Sequence, residues 1–176
     1  MRPLKLVISG PVAAGKTTFV RTLSTSAVVD TDEVASEAIG KDSTTVAMDF
    51  GTLDLDGIPL QLFGTPGQDR FDFMWEILSE GALGMVLLVH GQRPADFPRA
   101  RDILEFITSR IPVPFVIGVT HQDTSPVWKP DEVADYFGVE HSQAVGLNAS
   151  RADSAVEVLI RLMALIEEQE GDRSAK

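Results

Sequence analysis

Cysteine is absent from the 176-residue chain. Disulfides, thiolate metal sites and prenylation of a C-terminal cysteine are therefore excluded. Basic residues are scarce: 15 lysines and arginines stand against 26 acidic residues, a net charge of −11. A general nucleic-acid binder needs a basic face, which this balance opposes. Anionic lipid is disfavoured for the same reason, and the acidic surplus serves chiefly solubility. No apolar run reaches the roughly 18 residues that a membrane-spanning helix needs. Arg2 stands where N-myristoylation requires glycine. The apolar stretch of "MRPLKLVISG" is short and runs straight into a glycine loop, so a first strand is expected there and not a signal peptide. These absences predict a cytoplasmic protein with no membrane anchor of its own, recruited to any membrane by a partner.

The chain is 44% hydrophobic and 23% charged, a balance that suits one soluble domain with a sizeable core. Leu4–Ile8 is a short apolar run before Gly10 and predicts a buried strand. Thr45–Leu55 and Ile58–Phe63 alternate apolar and polar residues around Asp56-Gly57, a strong hairpin signal. Leu83–Val89 and Phe115–Val119 are apolar and rich in β-branched residues, as central parallel strands are. Phe97, Ala100, Leu104, Ile107 and Ile111 recur at helical spacing. Pro130 opens a further helix that Gly138 closes. Ser154 with Glu157 reads as a capping box before "AVEVLIRLMALIEE". Strand–helix alternation with one antiparallel hairpin predicts an α/β fold with a mixed sheet.

"GPVAAGKT", Gly10–Thr17, matches G-x-x-x-x-G-K-[ST] between a predicted strand and a predicted helix. Its backbone N–H groups, from Gly10, Pro11, Val12, Ala13, Ala14 and Gly15 onward (proline excepted), are expected to cradle phosphates. Gly10 and Gly15 permit the tight turns. Lys16 brings charge to the β- and γ-phosphates, Thr17 offers its hydroxyl to magnesium, and Thr18 continues the helix start beside the nucleotide. A kinase, an ATPase and a GTPase all remain open on this loop alone.

With "TTVAMDFG" and "FGTPGQDRF" added, the chain resembles the Ras-like small GTPases. The likeness is to the prokaryotic branch related to the signal-recognition-particle receptor β subunit and to mutual-gliding-type bacterial polarity GTPases. It runs from Leu4 to about Ile166. It implies a P-loop NTPase fold with a Ras-like six-stranded mixed sheet, one strand antiparallel, and helices on both faces. Residues 1–170 would form the G domain and 171–176 a short polar tail. The resemblance gives Thr45, with Thr44 as the alternative, the role of magnesium ligand and γ-phosphate sensor. Gly67 would donate its backbone N–H to the γ-phosphate, and Gln68 would orient the attacking water. Catalysis would thus rest on Gln68, Lys16 and Thr45, and the metal on Thr17 and Thr45.

The base-reading loop is altered. In "VTHQD", Thr120 takes the first position of the family's Asn/Thr-Lys-x-Asp, His121 replaces the lysine, and Asp123 is kept. A carboxylate there accepts from guanine N1–H and the 2-amino group. Asn148 and Ala149 in "GLNAS" fall where the family contacts the base a last time. The second departure is Gly64, where the family has an aspartate that holds magnesium's water. Loss of such an outer-shell group costs about 10–100-fold in metal affinity, and the Thr65 hydroxyl is the expected substitute. The third departure is Val12, pointing into the space of an incoming arginine finger, which predicts slow intrinsic hydrolysis.

The expectation is therefore a magnesium-dependent GTP/GDP switch acting through protein regulators and effectors, with a Roadblock/LC7-type regulator implied by the resemblance. After Gln68, Phe71, Trp75 and Leu78 share a helical face expected to pack on the core, while Phe73 and Ile77 point elsewhere; this apolar group is a candidate partner surface, the alternative being a helix buried on both sides by neighbouring loops. The alternatives are a non-hydrolysing guanine-nucleotide scaffold and a P-loop small-molecule kinase.

Overall fold

A computed structural model describes residues 2–24, 29–30, 49–65 and 80–176. The elements are β1 (Leu4–Ser9), α1 (Lys16–Leu23), β2 (Val29–Asp30), β3 (Asp49–Leu55), β4 (Ile58–Gly64), β5 (Gly84–His90), α2 (Phe97–Arg110), β6 (Phe115–Thr120), α3 (Pro130–Phe137), β7 (Ala144–Gly146) and α4 (Ala152–Ser174). The sheet order is β2-β3-β4-β1-β5-β6-β7. β3 runs antiparallel to both its neighbours, and the remaining pairings are parallel. The mixed six-stranded sheet with one antiparallel strand is thus present, and the two-residue β2 extends it at one edge.

Why the middle strands are unbroken apolar runs follows from their position. Along β5, Met85, Leu87 and Val89 pack on one face and Val86 and Leu88 on the other. Successive side chains point to opposite faces, so a strand covered on both sides is apolar throughout. Phe19, Val20, Val158 and Leu162 cover one face from α1 and α4. Ile103, Ile107 and Val133 cover the other from α2 and α3. Residues 171–174 continue α4 as an exposed helical turn. Among the described residues no helix is long and apolar enough to cross a membrane.

The turn chemistry behaves as the residues dictate. Asp56 and Gly57 both adopt positive φ, 51° and 85°, as a two-residue hairpin loop requires. The Gly57 N–H donates to Asp54 Oδ1 at 2.6 Å. Gly138 ends α3 in the left-handed region, as a glycine at that position does. Ser154 departs from expectation. α4 starts at Ala152 with no side-chain cap, and the Ser154 hydroxyl instead accepts from the Asn148 N–H at 2.9 Å. The tie to the loop before the helix outcompetes the local cap.

Candidate nucleotide-binding site

The loops after β1, β6 and β7 leave the carboxyl ends of parallel strands, where open α/β sheets take their ligands. Gly10–Thr17 wraps from β1 into α1. Gly10 has φ 149°, and a Cβ there would lie 2.3 Å from the Leu88 carbonyl oxygen. Only glycine lets the loop pass so close to β5. Gly15, at φ 103°, faces Thr120 and Ala149 across ordinary contact distances, so the phosphate loop meets the loops after β6 and β7 there. Ala13 holds φ 67°, a conformation that L-residues rarely adopt. Pro11 and Ala14 are buried, whereas Val12 is 56% exposed at the loop tip.

Lys16 donates from Nζ to the carbonyls of Gly10 at 2.8 Å and Pro11 at 2.7 Å. Burial lowers its pKa to about 8, opposed by the nearby Asp49 carboxylate. Its ammonium is thus held inside the loop by backbone oxygens, in reach of an anion that enters. Thr17 donates its hydroxyl to Asp49 Oδ2 at 2.6 Å. Asp49 stands directly across the hairpin from Gly64.

Thr65 is corrected by the structure. Its side chain is 2% exposed and shares a 2.8 Å hydrogen bond with Ser9 Oγ, while its N–H donates to the Ile8 carbonyl at 2.9 Å. The hydroxyl is spent on joining β4 to β1 and is not the substitute for the missing aspartate.

On the base side, the buried Thr120 hydroxyl lies 3.1 Å from the carbonyls of both Ala14 and Val89 and 2.9 Å from His121 Nδ1. It ties the end of β6 to the phosphate loop. Gln122 anchors the turn by donating from Nε2 to the Trp128 carbonyl at 2.8 Å, and Trp128 packs edge-on against Phe97. The Asn148 side chain is turned to its own loop, accepting from the N–H and hydroxyl of Ser150 at 3.1 and 2.6 Å. A cavity of about 220 Å³ opens between Gly15, Thr18, Thr120, His121, Asp123, Asn148, Ala149 and Ser150. Residues as far apart in sequence as Gly15 and Ser150 thus line one space, and every expected base-side residue borders it. Thr45, Gly67 and Gln68, and the apolar residues 71–78, lie outside the described residues.

Sequence reasoning passed over Asp49 and gave His90 only a structural place at the end of a strand. The signal for Asp49 was present. The Asp56-Gly57 turn pairs Leu55 with Ile58, and six pairs further back the ladder reaches Asp49 and Gly64. His90 carried no such signal, because its partner His121 follows a different strand.

The fold and this loop define a P-loop nucleotide-binding protein. The chain belongs to the family described as conserved hypothetical ATP binding protein, whose model matches residues 24–170; the match begins after α1 and so does not include Gly10–Thr17. The chain is similar to an uncharacterized protein of Methanocaldococcus jannaschii, 28% identical over 127 residues, covering 70% of this chain and 73% of that one. It is also similar to the Ras and EF-hand domain-containing protein homologs of Caenorhabditis briggsae and Caenorhabditis elegans, 28% and 26% identical. Those alignments cover 96% of this chain and 27% of each homolog, so it spans about a quarter of their length.

Proposed function

We propose that this protein binds a guanine nucleotide with magnesium, hydrolyses GTP slowly, and changes its protein contacts between the GTP and GDP states. The observation that carries the proposal is the cavity uniting Asp123, Thr120 and Ala149 with Gly15 and Thr18 of the phosphate loop. An ionised carboxylate only accepts hydrogen bonds. Guanine offers N1–H and the 2-amino group together; adenine offers no such pair. A mismatched partner at that carboxylate costs about 1–3 kcal/mol. The family's description names ATP, so the choice of base is the point to test. The likeness to Ras-containing homologs over most of the chain favours guanine.

The oxygen donors at hand suit a hard divalent cation, since the Thr17 hydroxyl meets a carboxylate at 2.6 Å. Thr17 would hold magnesium, with Thr45 assigned the second protein ligand by the family resemblance. When bound, the ion offsets charge on the β- and γ-phosphate oxygens. Lys16 adds its ammonium from inside the loop, Gly67 and Gln68 take the family's γ-phosphate and water-orienting roles, and a Roadblock/LC7-type protein is the proposed class of regulator. Val12 is exposed at the loop tip, where the family resemblance puts an incoming arginine, so the proposed activator is one that does not insert an arginine past it. The same residue favours the second reading, a guanine-nucleotide scaffold that does not hydrolyse.

Calorimetric titration with GDP and ADP in magnesium separates the base choices. GDP is expected to bind more tightly, and Asp123→Asn to lose about 1–3 kcal/mol of that preference, roughly 5- to 150-fold. Equal affinities, or a preference that survives in Asp123→Asn, would overturn guanine recognition. Phosphate release in a single turnover then distinguishes the switch from the scaffold.

A further inference from the structure

Position 64 is a glycine at the end of β4, and the loss leaves open which group supports the cation side of the phosphate loop. Asp49 begins β3 and is the cross-strand partner of Gly64. Directly opposed residues of an antiparallel pair project to the same face. A Cβ on Gly64 would lie 3.1 Å from Asp49 Cβ and 3.5 Å from its Oδ2. The glycine therefore leaves free the space that the Asp49 carboxylate occupies, and a side chain at both positions would crowd. The carboxylate spans to α1, where it accepts the Thr17 hydroxyl proton at 2.6 Å.

We propose that Asp49 is the carboxylate of the magnesium site, supplied from β3 in place of the group that Gly64 lacks; this rests on the nucleotide-binding reading above. A threonine hydroxyl has one hydrogen and two lone pairs. Giving its hydrogen to Asp49 leaves the Thr17 oxygen's lone pairs for a cation and makes that oxygen a better donor, which is how outer-shell carboxylates act on metal ligands. A hydrogen bond that merely fastened β3 to α1 would need no charge on Asp49.

The test measures release of a fluorescent GDP analogue from the full chain as magnesium is titrated against EDTA. In the unaltered protein magnesium is expected to slow release. Asp49→Asn keeps the shape and a hydrogen-bond acceptor but loses the charge, and should raise the magnesium concentration for half effect about 10–100-fold. The double variant Asp49→Gly/Gly64→Asp moves the carboxylate across the ladder and should restore the requirement to within a few-fold. Thermal melting of each variant checks that it folds. An unchanged magnesium requirement in Asp49→Asn overturns the assignment alone, and so does release that is indifferent to magnesium in the unaltered protein. If the unaltered protein retains no nucleotide at all, the nucleotide-binding reading falls first and the assignment with it. A double variant that folds but stays as impaired as Asp49→Asn also counts against the assignment.

Discussion

The imidazole of His90 lies flat on that of His121, with ring centroids 3.5 Å apart and planes 5° from parallel. His90 ends β5, and His121 follows β6 in a left-handed backbone conformation, φ 65°. The Gln92 N–H donates to His90 Nδ1 at 3.1 Å, so that nitrogen serves as an acceptor and favours the uncharged ring. His121, which lines the cavity, thus rests on a second ring.

Burial lowers the His90 pKa below 6.5, helped by His121 and Arg93 and opposed by Asp96. Its NMR titration midpoint should therefore fall below the ordinary histidine value. In His121→Ala the midpoint should move up, because a neighbouring charge and some burial are both removed. The unfolded chain binds this proton more readily between the two midpoints. Stability is then lost as pH falls from 6.5 through the folded value. A midpoint at or above 6.5 in the unaltered protein would contradict the stacked, uncharged His90 ring.

Gly10→Ala should cripple the phosphate loop. The new methyl would meet the Leu88 carbonyl at 2.3 Å in a backbone conformation closed to alanine. Strain of this kind costs on the order of 1–3 kcal/mol, and either the loop or β5 must move as well. Urea unfolding should show a lowered midpoint, and nucleotide binding should weaken more than stability. Gly57→Ala is the control, because a Cβ at Gly57 meets nothing within 4 Å. It shares the positive-φ strain without the clash, and should leave binding intact.

Lys16 gives a signature in alkaline solution. With its pKa lowered to about 8 by burial, the free protein releases this proton well before an ordinary lysine. A polyphosphate favours the ammonium, so nucleotide binding at about pH 8.5 should take up a proton. Calorimetry in buffers of different ionisation heat measures that uptake, and affinity should fall as pH rises beyond about 8. For the free protein the sign is reversed. Between about 8 and 10.5 the unfolded chain holds more protons at this site, so stability gains from rising pH. Binding with no proton uptake at that pH would contradict the buried, carbonyl-held amine.

The features legible along the chain are those governed by residues close in sequence. Spacing within Gly10–Thr17 marks a loop that bends around anions, and the positive φ of Gly10 and Gly15 accords with it. Asp56-Gly57 specifies a two-residue turn, and the turn sets the ladder register all the way to Asp49 and Gly64. The apolar runs of β5 and β6 announce strands covered on both faces. One helix start was less legible than Pro130, which opens α3 as read: Ser154 has the right spacing for a cap, yet it bonds the Asn148 N–H, because a polar group six residues away offered a partner that the pattern cannot register.

What tertiary structure decided is which distant groups share a space. β1 and β5 are neighbours only because the sheet places them so, and that adjacency makes Gly10 indispensable against Leu88. The same packing spends the Thr65 hydroxyl on Ser9, stacks His121 on His90, and delivers the Asp49 carboxylate to Thr17 from 32 residues away. Local conformation follows from steric limits and hydrogen bonds within a few residues, so the chain carries it directly. Charge placement at the site depends on strand order and on competition between polar partners, and these exist only once the sheet has closed around them.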